Sequence, residues 1–226
     1  VTAASHAGDP HHVQGHGHGH SHGHGAPGHG DGGPASKRIV VGYGFWLFLL
    51  SDIVMFSAFF ASYAVLQGAT AGGPTGASIF DRPNVAIETA CLLLSSFSCG
   101  MASLAARVRN TSMFQVAMAV TLVLGGAFIA LELTEFAGLI AKGDGPSRSA
   151  FLSGFFALVG CHGVHVTAGL IWLTTMMAQV WAKGFRDDIQ RRILCFSLFW
   201  HALDIIWVAV FTVVYLLGTT PMAVAT

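Results

Sequence analysis

The chain has 226 residues, with 11 Lys plus Arg balanced by 11 Asp plus Glu; charged residues make up 10% and apolar residues 53%, and the mean hydropathy is +0.63. A soluble domain carries roughly 25% charged residues, and a protein that binds nucleic acid through phosphates needs a basic surface. The composition therefore excludes a soluble enzyme and gives no basis for nucleic acid as a partner; it indicates a small integral membrane protein.

The first residues stand apart in composition. From His11 to His24 the chain is mostly His and Gly. Such a stretch buries too little apolar surface to offset the entropy of ordering, so residues 1–38 are expected to form a disordered tail. Spaced histidines of this kind can hold divalent metal loosely. The first apolar run begins near Ile39, too late for a secretory signal of the usual plan.

Five apolar segments follow, at about Ile39–Leu66, Asn84–Ala106, Ser112–Ile140, Ala150–Trp181 and Arg192–Gly218. Each exceeds the ~20 residues that a helix needs to cross the hydrocarbon core, and each is apolar around most of its circumference. The expected fold is all-α: a bundle of five transmembrane helices over residues 39–219, followed by a short tail, 220–226. The connections carry turn residues, at Gly72-Gly73-Pro74-Thr75-Gly76, Arg109-Asn110, Gly143-Asp144-Gly145-Pro146 and Lys183-Gly184. Lys37, Arg38, Arg107, Arg109, Lys183, Arg186, Arg191 and Arg192 fall on one side, against Arg82, Lys142 and Arg148 on the other. This bias places the N-terminus of the multi-pass chain in the cytoplasm and the C-terminus in the periplasm. Cys91, Cys99, Cys161 and Cys195 lie in apolar runs without a C-x-x-C pair and read as small buried hydrophobes.

Eight ionisable side chains fall inside the spans, where each central charge costs about 2.5–3.5 kcal/mol on insertion scales. Counting ~1.5 Å of rise per residue puts Asp52, His162, His165, His201 and Asp204 near mid-membrane. Glu132, Glu135 and Glu88 come nearer the outer ends of their helices. Asp52 sits in a stripe with Phe45, Phe48, Phe56 and Phe59, and Asp204 in one with Trp200, Trp207 and Phe211. Glu88 shares a small, weakly polar stripe with Cys91, Ser95 and Cys99. Residues three apart, as in His162/His165, His201/Asp204 and Glu132/Glu135, are expected on one helix face. The residues alone leave four readings open: interhelical hydrogen bonding, a zinc site from His-x-x-His facing His-x-x-Asp, haem held by paired histidines, and proton handling centred on Asp52.

The chain resembles subunit III of the haem–copper respiratory oxidases, in the form found in cytochrome bo-type ubiquinol oxidases. The resemblance spans about residues 40–218. It is carried by Gly44-Phe45-Trp46 through Ser51-Asp52, Tyr63-Ala64-Val65-Leu66, Gly72-Gly73-Pro74-Thr75-Gly76 and Glu132 to Phe136. It continues through Gly145-Pro146, Phe155-Phe156-Ala157-Leu158-Val159-Gly160, His162-Gly163-x-His165-Val166-Thr167 and Ser197-Leu198-Phe199-Trp200-His201-x-x-Asp204. The resemblance implies an accessory subunit with no catalytic, cofactor-binding or metal residues of its own. Haem and copper belong to subunit I, the direct partner, within a complex that also holds subunits II and IV and bound phospholipid. That complex oxidises ubiquinol, reduces oxygen to water and translocates protons. Asp52, Glu135, His162, His165, His201 and Asp204 fall on the family's motif positions, and Glu88 and Glu132 join them as intramembrane polar candidates for proton support. A five-helix subunit III of a cytochrome c oxidase, and a membrane metal transporter, are the alternative expectations.

Overall fold

A computed structural model describes residues 37–72 and 82–217. The His/Gly-rich tail, most of the first turn and residues 220–226 lie outside the described residues. The described part is helical: α1 (Lys37–Leu66), α2 (Arg82–Arg107), α3 (Thr111–Ala141), α4 (Ala150–Lys183) and α5 (Asp187–Val210), the last continuing as a π-helical segment over Phe211–Leu217. Among the described residues, five helices are long and apolar enough to cross a membrane. The fifth begins five residues before the expected Arg192, at Asp187. Arg191 and Arg192 interrupt the apolar run but not the helix, because the end of a spanning helix can carry charge where it leaves the hydrocarbon. Asp187 and Asp188 sit in its first turn, where the helix dipole favours negative charge.

Local chemistry fixes the other ends. Asn110 Oδ1 accepts from the Met113 amide at 3.1 Å and starts α3, and Ser149 Oγ accepts from the Leu152 amide at 3.2 Å and starts α4. α3 ends at Gly143, whose φ of +82° is a left-handed conformation favoured by glycine. The amides of Gly143 and Asp144 turn back to the carbonyls of Ile140 and Leu139.

The bundle is ordered by packing between helices. α2 and α3 share the most extensive interface, along the small face of α2 that carries Ser95, Ser98, Cys99 and Ala102, all buried. Ser98 and Thr121 hydrogen-bond across it at 2.7 Å. α5 lies against α2 and α4, and α1 reaches the rest through α4 and α5. α1 is the least enclosed, with 6% of its most apolar window buried against 33–44% for the others. Its Phe stripe makes the contact: Phe45 meets Trp172 at 6.1 Å and Phe48 meets Phe199 at 6.3 Å.

Trp200 of α5 is the wedge at the centre. Its ring lies between Gly125 of α3 and Gly169 of α4; a Cβ on Gly169 would come within 2.9 Å of the ring, and one on Gly125 within 3.1 Å. Its Nε1–H donates to Ser95 Oγ of α2 at 3.1 Å, so one side chain joins four helices. Gly169→Ala is expected to lower stability by about 1–3 kcal/mol through overpacking. Gly126→Ala, where a Cβ meets nothing within 4 Å, should stay within about 0.5 kcal/mol. Thermal unfolding of the two purified variants checks this; equal midpoints would show that the glycine slot does not hold the wedge.

Candidate intramembrane polar site

The ionisable side chains of the spans gather in three places. Between α1 and α4, Asp52 Oδ1 faces His165 Nε2 at 3.9 Å. The other ring nitrogen of His165, Nδ1, donates to the Cys161 carbonyl at 2.8 Å, which ties the imidazole to its own helix. Phe56 covers this ring edge-on at 5.3 Å, as the aromatic stripe around Asp52 suggests. Both members of the pair are half-buried, with side chains 15% and 20% exposed.

Between α2 and α5, His201 Nδ1 lies 3.2 Å from Ser96 Oγ, and Asp204 stands beside the same serine and His201. Both ionisable groups are half-buried. His201 and Asp204 therefore share one face, as their spacing predicts.

His162 and His165 both border Phe56, at 6.4 and 5.3 Å, but differ in their hydrogen bonds. Three residues turn a helix by about 300°, which leaves neighbouring side chains about 60° apart. That offset is enough, at a helix boundary, to give them different partners. His162 is fully buried and its Nε2–H donates to the Leu203 carbonyl of α5 at 3.2 Å. Trp207 lies over it at 5.0 Å and Phe128 stands edge-on at 5.7 Å. Among the described residues no three His, Cys, Asp or Glu side chains are placed to hold a metal ion, so the zinc and transporter readings find no ligand set there. The four cysteines are free; Cys99 and Cys195 are buried, while Cys91 and Cys161 are half-buried.

The third group is the glutamates. Glu88 and Glu132 are buried at 1% and 3% exposure, Glu135 is half-buried, and the three lie within electrostatic reach of one another. The two layers expected from depth counting are not separate. Glu132 rests on Gly163, where a Cβ would lie 2.6 Å from its Oε1, so it is one residue from His162 in depth while still facing Glu88 and Glu135. The missing side chain at Gly163 makes that approach possible. Two tyrosines that sequence reasoning passed over belong to this group: Tyr215, in the π-helical segment, reaches all three glutamates and also Tyr63 of α1. Aromatic rings wall it, with Phe155 6.2 Å from Tyr215 and 5.9 Å from Phe136, and Phe151 6.0 Å from Tyr63. Trp207 closes the inner side, its Nε1–H donating to Thr89, next to Glu88, at 3.1 Å.

The sequence profile of cytochrome c oxidase subunit III matches residues 29–219. The chain belongs to the cytochrome c oxidase subunit III family. Relatives in this family include the cytochrome bo(3) ubiquinol oxidase subunit 3 of Pseudomonas aeruginosa, 54% identical over 78% of this chain and 84% of the relative. The quinol oxidase subunit 3 of Bacillus subtilis is 42% identical over 77% and 86%. The cytochrome bo(3) subunit 3 of Buchnera aphidicola from Acyrthosiphon pisum is 42% identical over 78% and 86%. The family profile covers all five spans that position the three polar groups.

Gly163→Ala should push Glu132 aside and cost about 1–3 kcal/mol. In a Glu132→Ala background the same change should cost little, a coupling of about 1 kcal/mol or more in a double-mutant cycle. Additive costs, read from thermal midpoints, would show that the glutamate does not depend on the glycine.

Proposed function

We propose that this chain is the accessory third subunit of a terminal ubiquinol oxidase in a bacterial inner membrane. The observation that carries the reading is the 54% identity to a cytochrome bo(3) ubiquinol oxidase subunit 3 over most of both chains. In this reading the complex oxidises ubiquinol, reduces oxygen to water and moves protons outward. Haem and copper reside in the large subunit I, against which this chain packs within an assembly that includes subunits II and IV. The chain itself performs no electron transfer and supports assembly, lipid binding and proton uptake.

The excess of Lys and Arg on the side of residues 37–38, 107–109 and 183–192 supports a cytoplasmic N-terminus and a periplasmic C-terminus, with residues 1–38 a disordered tail and 220–226 a short periplasmic end. On the same side a groove of about 670 Å³ runs between the ends of α1, α2 and α5, lined by apolar Val41, Ala106 and Leu194 and by Arg107, Arg191 and Asp187. Two arginines against one aspartate leave the groove net cationic, which with its apolar residues suits the acyl chains and headgroup of an anionic phospholipid.

Asp52 and His165 support a role at a subunit boundary, because a half-buried polar pair deep in a span needs protein beside it. Asp52 is the residue on which lasting turnover is expected to depend.

Three outcomes check this. Purification of the tagged chain from native membrane should bring a haem-containing large subunit and quinol-dependent oxygen uptake. Recovery of an assembly that accepts electrons from cytochrome c but not from quinol would overturn the quinol assignment. Asp52→Ala in that complex should leave the haem spectrum intact and shorten the active lifetime under turnover; an unchanged inactivation rate would remove Asp52 from this role. Arg107→Gln and Arg191→Gln should each weaken retention of anionic phospholipid by about 1 kcal/mol, about fivefold, read by mass spectrometry of co-purified lipid.

A further inference from the structure

We propose that the glutamate–tyrosine core is a proton-holding site, in which Glu88 and Glu132 stand as undissociated carboxylic acids and exchange protons with the outside by way of half-buried Glu135. The inference deepens the proton-support part of the function proposed above, and it rests on the geometry of this chain's own core.

Burial and partners carry the argument. Glu88 and Glu132 are almost wholly enclosed, and each keeps one carboxyl oxygen, Oε2, without a hydrogen-bond partner among the described residues. The charged groups that act on them there are other carboxyls. Two anions so placed, with no cation between them, would each face a cost of several kcal/mol for leaving water. Protonation removes that cost and gives each acid a hydrogen to donate.

A second observation, from a different residue type, points into the same place. Tyr63 is 0% exposed and its Oη has no hydrogen-bond partner among the described residues, although the ring brings it beside Tyr215. A buried phenol finds a partner when one is within reach, and it matches a carboxylic acid that can both donate and accept. The elements packed around the core contribute, as titratable groups, Tyr63 from α1, Glu88 from α2, Glu132 and Glu135 from α3, His162 from α4 and Tyr215 from the end of α5. His162 is turned aside, its Nε2–H given to the Leu203 carbonyl. Glu135 is half-buried as a residue, with its Oε1 enclosed, so of the three it is the one with a way to the surroundings and serves as the point of entry for a proton.

Infrared spectroscopy of the intact complex containing this chain, with carbon-13 label in glutamate carboxyls, reads the site directly. At neutral pH Glu88→Gln and Glu132→Gln should each remove one undissociated-carboxyl band. In the unsubstituted complex both bands should shift on transfer to deuterium oxide. Loss of an ionised-carboxylate band instead, no loss in either variant, or bands that resist deuterium exchange would overturn the proposal. Glutamine is the neutral isostere of the acid, so failure of the Gln variants to assemble where Glu88→Asp and Glu132→Asp succeed would overturn it as well. The readout is independent of the electron donor, so the site can fail while the quinol-oxidase assignment stands, and the reverse.

Discussion

In a bilayer the hydrophobic effect drives helices into the membrane but not against one another, because lipid tails are as apolar as Leu. What holds this bundle together is therefore close packing and a few buried hydrogen bonds. Trp200 shows how the two combine. Glycines on α3 and α4 clear a slot for its ring, and Ser95 of α2 accepts its Nε1–H. Two turns later Trp207 repeats the arrangement, against Phe128 of α3 at 4.6 Å, His162 of α4 at 5.0 Å and Thr89 of α2. Their seven-residue spacing keeps both indoles on one face of α5, so a single helix face fixes α2, α3 and α4 at two levels.

That scaffold explains where polar groups can sit. His162 is enclosed because Trp207 and Phe128 cover it and a backbone carbonyl of α5 accepts its Nε2–H. Glu132 can enter the core because Gly163 gives way to it. The pairs at Asp52/His165 and Ser96/His201/Asp204 lie instead at helix boundaries, half-covered.

The spans were legible in the sequence because length and hydropathy are enough to define a membrane helix. The aromatic stripe of α1 was legible too, since Phe45, Phe48 and Phe56 all meet α4 or α5. Depth was less so. Counting residues from a helix end treats each helix as parallel to its neighbours and cannot register that a glycine admits Glu132 beside His162. His162 and His165 do share a side of α4, since both rings stand edge-on to Phe56; what spacing could not give was their different hydrogen-bond partners, because it fixes a direction only to within about 60°. Tyr63 and Tyr215 were hidden because tyrosine in an apolar run reads as an interface aromatic, and because nothing in Phe211–Leu217 announces the π-helical turn that carries Tyr215. The start of α5 was obscured by two arginines that end the apolar run without ending the helix.

α1 shows how an accessory chain is built for company. It is long and strongly apolar, yet little of it is covered within the subunit, and the polar group it carries deepest, Asp52, meets His165 at 3.9 Å without full enclosure. A helix destined only for lipid would gain nothing from a carboxyl at that depth and would bear its desolvation cost. A helix destined for the core would have been wrapped as α2 and α5 are, each with 44% of its window buried. Asp52 on a thinly held helix is consistent with a surface completed by another polypeptide, where the neighbour supplies the burial and the remaining partners. In the family to which the chain belongs, a complex of several subunits offers that neighbour. The same reasoning separates the half-covered pairs, whose surroundings are incomplete in the isolated chain, from the glutamate core, whose walls of Phe151, Phe155, Phe136 and Trp207 are all its own.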